Sequence, residues 1–107
     1  MPLHFADRWI WDFWLCSDGD VHHVFYLQAP TSLGDPEQRH WNVSIGHATS
    51  SDLNEWTPVA DALSPGRAGT FDDFTTWTGS IIRRDGEWVM VYTGTARAER
   101  GLVQRIG

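Results

Sequence analysis

Apolar and polar positions along this chain alternate in short runs, with no long helical periodicity. Residues 21–27, Val-His-His-Val-Phe-Tyr-Leu, follow the turn signal Ser17-Asp18-Gly19-Asp20 and predict a strand. Residues 88–93, Trp-Val-Met-Val-Tyr-Thr, follow Arg84-Asp85-Gly86-Glu87 and predict another. Asp-Gly between two such runs signals a hairpin. A third strand is expected over 41–48. The segments 29–40 and 58–75 carry proline and glycine and are expected to be surface connections. Asp52-Leu53-Asn54-Glu55 offers an acidic cap and at most one helical turn.

The strand runs recur. Phe13–Gly19 lines up with Ser80–Gly86, Val24–Tyr26 with Met90–Tyr92, and Ser44–Gly46 with Arg105–Gly107. The spacings are 67 (Asp18 to Asp85), 66 (Tyr26 to Tyr92) and 61 (Gly46 to Gly107). A repeat of antiparallel strands at that period has the logic of a propeller blade. The first copy covers about 9–57, and a second, incomplete one covers about 76–107. Two copies cannot close a ring. A seven-stranded sandwich with accidental similarity is the alternative.

Composition narrows the function classes. The chain has 107 residues, enough for one small domain, and a net charge of −6 with eight arginines and no lysine. Such a balance argues against nucleic acid and anionic membranes as partners. Arg83-Arg84 reads as a solvated strand end. Cys16 is the single cysteine, so no internal disulfide can form, and a buried thiol is expected. No apolar run is long enough to span a membrane. The first residues lack a charged region followed by an apolar one, so a cytoplasmic location is expected. Asn42-Val43-Ser44 fits a glycosylation sequon and reads as chance. The histidines show no metal-ligand spacing, and neither a metal nor another cofactor is expected. His47 reads as a hydrogen-bond partner between strands. His22 and His23 point to opposite faces, and the Asp-Gly pairs are turns.

The unusual feature is seven tryptophans, several of them crowded around one carboxylate in Trp9-Ile-Trp-Asp-Phe-Trp14. Tryptophan builds cores, and it also offers flat faces for sugar rings. By strand alternation Trp9 and Trp11 share a face beside Asp12. They could stack on a ligand or pack.

Trp-Asp-Phe-Trp (11–14), Phe-Tyr-Leu-Gln-Ala-Pro (25–30), Ile-Gly-His-Ala-Thr-Ser-Ser-Asp-Leu-Asn-Glu-Trp (45–56), Trp-Thr-Gly-Ser (77–80) and Tyr-Thr-Gly (92–94) occur in order. Together they resemble the N-terminal part of the five-bladed β-propeller glycoside hydrolases of families 32, 43, 62 and 68, most closely the β-fructosidase-like family 32. The resemblance implies an all-β fold holding the first two blades of five, the second incomplete. It implies a carbohydrate substrate, an oligosaccharide or fructoside, and a catalytic role for Asp12 as nucleophile or base. It also implies that two further catalytic carboxylates of the family, an Asp in Arg-Asp-Pro and an acid Glu, are missing here. Trp9, Trp11, Gln28, Trp77 and Asp72 become candidate substrate-binding residues. Two departures stand out. The family 32 form Asn-Asp-Pro-Asn-Gly is here Trp-Asp-Phe-Trp-Leu, and the family's Phe-Tyr-Gln is Phe25-Tyr26-Leu27, with Gln28 one position late. Such a shift turns a strand residue to the other face. An unpaired blade edge could lead to self-association. A non-catalytic carbohydrate-binding repeat, assembled from several copies, is the competing function, and a truncated product without a function of its own is a third.

Overall fold

A computed structural model describes residues 3–107. Two antiparallel sheets account for nearly all its regular structure. The first has the order β1 (Arg8–Asp18), β2 (Val21–Pro30), β3 (Ser44–Ser50) and β4 (Thr57–Pro58). The second has the order β5 (Thr75–Arg84), β6 (Glu87–Thr95) and β7 (Gln104–Ile106). This is the blade-like meander expected from the repeat.

Both leading hairpins close with two-residue turns, Asp18 opposite Val21 and Arg84 opposite Glu87. Asp85 and Gly86 both have positive φ (51° and 80°), the pattern of a type I′ turn. In the first hairpin Gly19 alone does (61°), as type II′ requires at its first position. The turn residues are therefore Gly19-Asp20 and Asp85-Gly86. This corrects the spacing: the two hairpins superpose at a uniform 66 residues, Asp18 on Arg84 and Tyr26 on Tyr92. The third strands keep the spacing of 61, because Gly46 pairs with Tyr26, and Gly107 exchanges two 3.0 Å backbone bonds with Tyr92. Both glycines admit a ring over the backbone. A Cβ at Gly46 would run into Tyr26, and one at Gly107 into Phe71.

One local expectation is revised and another is narrowed. The third strand starts at Ser44, because Pro36–Trp41 forms a 3₁₀ turn instead. Pro36 opens it, and the Asp35 carboxylate caps it by accepting from the Glu37 amide at 3.0 Å. Residues 52–55 make no helix. The Asp52 carboxylate accepts from the Asn54 and Glu55 amides, both at 2.9 Å, and closes a turn.

The main core lies between the sheets. Trp14, Phe25, Leu27, Val43 and Ile45 are buried, and Ile81, Met90, Tyr92 and Trp77 of the second sheet pack against them. The outer face of the first sheet buries Val24, Tyr26 and Ala48 under Leu3, Phe5 and Trp56. Cys16 is half-buried rather than enclosed. Strand β7 forms the outer edge of its sheet, and Ile106 there is 77% exposed.

His47 stacks on Phe25 with ring centres 4.4 Å apart, and its Nε2 lies 2.9 Å from Nδ1 of His23 on the neighbouring strand. Burial, and secondarily the charge of His23, holds the His47 ring below its ordinary value of 6.5. As pH falls, an unfolded His47 therefore takes up a proton before the folded one does. Its contribution is intact above pH 6.5 and is lost as pH drops below that value towards the folded one. The melting temperature is expected to fall between about pH 7.5 and about pH 5.5. His47→Gln should flatten that slope, and an unchanged slope in melts of the variant would refute the assignment. The depressed carboxylates Asp52, Asp73 and Glu99 act in a separate window, near and below 4.

Candidate functional site

Strand β1 pairs Ile10 with Gln28 and then Phe13 with Tyr26, so Trp11 and Asp12 together oppose Leu27. Two residues against one is a β-bulge, which breaks alternation and re-aims a side chain. Strand β5 repeats it. Thr76 pairs with Gly94 and Gly79 with Tyr92, leaving Trp77 and Thr78 opposite Thr93. The two bulges fall at the same place in the two repeats, 66 residues apart.

Their residues meet in one cleft. Trp11, Asp12 and Leu27 line it from the first sheet, and Trp77, Thr78 and Thr93 from the second, in a space of about 720 Å³. The Thr78 hydroxyl donates to Asp12 Oδ2 at 2.6 Å, a bond from bulge to bulge. That bond fixes one oxygen of an exposed carboxylate. The crowding of aromatic residues around Asp12 in sequence is not an enclosure in space, since Phe13 is 65% exposed and Trp14 points into the core.

The 36–41 turn forms the remaining wall with Glu37, Gln38, Arg39, His40 and Trp41. Trp77 Nε1 donates to the His40 carbonyl at 3.0 Å, and the Trp41 ring sits 5.9 Å from the Trp77 ring. The Arg39 guanidinium lies 5.4 Å above the Trp11 ring, with His40 edge-on to the same ring at 6.0 Å. Sequence reasoning missed this wall and left it as a surface loop. Consecutive Arg-His-Trp at its end was the available signal, because such rings need a surface to cover.

Of the six candidates, the structure brings Asp12, Trp11 and Trp77 together. Trp9, paired with Ala29 further along β1, is outside the cleft lining. Gln28 lies on the opposite face of β2, beside Tyr26. It accepts from Arg8 Nη1 at 2.8 Å and donates to Asp61 at 2.8 Å and Ser44 at 3.2 Å. Asp72 is buried, 6% exposed, and accepts from the Tyr92 hydroxyl at 2.5 Å and from Thr70 at 2.8 Å. Burial first, then the Asp72 hydrogen bond and charge, push the Tyr92 phenol up to about 12. Among the described residues, no group of three or more His, Cys, Asp and Glu could hold a metal ion, and no helix is long and apolar enough to cross a membrane.

Residues 14–106 match the glycosyl hydrolases family 32 N-terminal domain. The chain belongs to this family. Family 43, which the sequence motifs left in play, finds no support in the match. A 6(G)-fructosyltransferase of Asparagus officinalis is 38% identical over 76 residues, covering 68% of this chain and 11% of the relative. The β-fructofuranosidase 1 of Zea mays is 33% identical, covering 79% and 12%. The sucrose-6-phosphate hydrolase of Escherichia coli is 34% identical, covering 70% and 14%. The chain thus spans 11–14% of the length of these relatives. A solved glycoside hydrolase superposes with a TM-score of 0.68 at 27% identity, over 97% of this chain and 28% of that one. The two sheets are accordingly blades of the family 32 propeller, and the cleft lies between them. The match begins just after the Trp11-Asp12 bulge.

Proposed function

We propose that this family 32 chain supplies part of a furanoside-hydrolysing site, with Asp12 as the attacking carboxylate and fructosides as the substrate class. The observation that carries the reading is the bulge geometry. It turns Asp12 into the cleft beside Trp11, and Thr78 holds it by one oxygen while the other stays free. A retaining glycosidase needs a carboxylate so placed and a second carboxyl about 5–5.5 Å away to protonate the leaving oxygen. Trp11 and Trp77 supply apolar faces for the ring. The names of the matched fructosyltransferase, fructofuranosidase and sucrose-6-phosphate hydrolase agree with a fructosyl substrate.

Glu37 is the other carboxylate lining the cleft, but it stands exposed on the 36–41 turn, without the apolar enclosure that suits a general acid. The 107-residue chain alone is therefore expected to show no turnover of sucrose, inulin, levan or nitrophenyl furanosides. Reducing-sugar release by the purified chain, abolished by Asp12→Asn, would show that the chain contains a complete site.

A further inference from the structure

Arg39 is the one guanidinium that lines the cleft. Arg8, Arg83, Arg84 and Arg105 pair with carboxylates, whereas among the described residues Arg67, Arg97 and Arg100 form no ion pair, so what sets Arg39 apart is its place in the cleft wall. Among the described residues, no carboxylate forms an ion pair with Arg39. The side chain is nevertheless half-buried and held in place. Its Nη1 donates to the Pro36 carbonyl at 2.9 Å, and its plane lies over Trp11, the residue before Asp12. Guanidinium carries five N–H groups, and the Pro36 bond uses one.

A guanidinium held at a cleft wall with N–H groups to spare is a ready partner for an anionic group. Its planar fork matches the oxygens of a phosphate ester or a carboxylate. We propose that Arg39 selects substrates carrying an anionic group, which it grips at the Trp11 end of the cleft. Asp12 and Glu37 repel an anion elsewhere in the same space, so the anionic group sits against Arg39 and the uncharged part of the sugar faces Asp12. The inference rests on the reading of the cleft as a sugar site and deepens it by naming a charged substrate class.

The test titrates the chain with fructose, fructose 6-phosphate, galactose, galacturonate and inorganic phosphate, followed by tryptophan fluorescence. In at least one sugar pair the anionic member is expected to bind ~10-fold more tightly than the neutral one. The pair that shows it separates phosphate from carboxylate recognition. Raising salt from about 20 to about 500 mM should erode the preference. Arg39→Gln should abolish it, as should Arg39→Met, which keeps an apolar stem against Trp11 if the glutamine variant misfolds. Equal binding of charged and neutral sugars overturns the proposal, as does a preference that survives in a folded variant. Inorganic phosphate binding as tightly as fructose 6-phosphate overturns it too, because the site would then read an anion and not a sugar. Neutral sugars binding without a preference sink this inference alone, whereas no binding by any sugar sinks the sugar-site reading with it.

Discussion

In a polypeptide that joins this chain to the rest of a family 32 domain, Asp12→Asn is expected to lower kcat by ~10⁴ or more and to change KM little. The amide keeps the carboxylate's shape, and its oxygen still accepts from Thr78. What it loses is the negative charge and nucleophilicity of the free oxygen. Asp12 is exposed, so the fold should barely notice, with a stability change within about 0.5 kcal/mol. Stopped assays with sucrose and a nitrophenyl furanoside, beside thermal melts of both proteins, separate chemistry from folding. Near-normal turnover in Asp12→Asn would mean that the bulge aims the wrong residue at the substrate.

Asp72→Ala is expected to do the opposite, costing stability rather than chemistry. The carboxylate is buried and anchors two hydroxyls, Tyr92 and Thr70. Truncation leaves the Tyr92 hydroxyl without its acceptor beside the core, while Thr70 keeps the Arg67 carbonyl at 2.8 Å, at about 2–3 kcal/mol for the lost charge-assisted bond. For a domain of this size that is a drop of about 10–20 °C in melting temperature. Asp72→Asn retains an acceptor and should lose much less. In that variant the Tyr92 phenol should titrate below its present value of about 12, since part of its shift comes from the Asp72 charge. Absorbance titration near alkaline pH reads that shift. A melting temperature in Asp72→Ala within about 2 °C of the parent would show that the carboxylate is not structural.

These two aspartates show where sequence reasoning succeeds and where it stops. The strands, the two-residue hairpins and the repeat were legible, because alternation and Asp-Gly are local signals. Asp12 was legible through its neighbours, although the reason given was incomplete. Strict alternation places Trp11 and Asp12 on opposite faces, and only the bulge brings them to the same one. A bulge is one extra residue, invisible to a period-two pattern unless the second copy is set beside the first. Matching Asp-Gly to Asp-Gly hid it by shifting the alignment one residue. Asp72 was read as a candidate substrate-binding residue because its partner Tyr92 lies twenty residues on, across the sheet. Gln28 followed the strand rule: one position late, it faces Tyr26 and Asp61 instead of the cleft. The wall at 36–41 depends on how a connection folds back, which local sequence does not encode.

The paired bulges also make chain length here matter alongside residue identity. A substitution at Trp11 or Asp12 alters one side chain. Deleting either residue leaves a single residue opposite Leu27, so the strand pairs regularly, Ile10 still opposes Gln28, and the cleft loses one of its two side chains from β1. Arg8 would keep Gln28, and Ile10 its packing around Tyr26, so the loss falls on the cleft rather than on the sheet. The same holds for β5, where the buried Thr75 and Thr76 would stay opposite Thr95 and Gly94. One extra residue in each strand, Asp12 in one and Thr78 in the other, is thus what lets each blade present two neighbouring side chains to the same cleft.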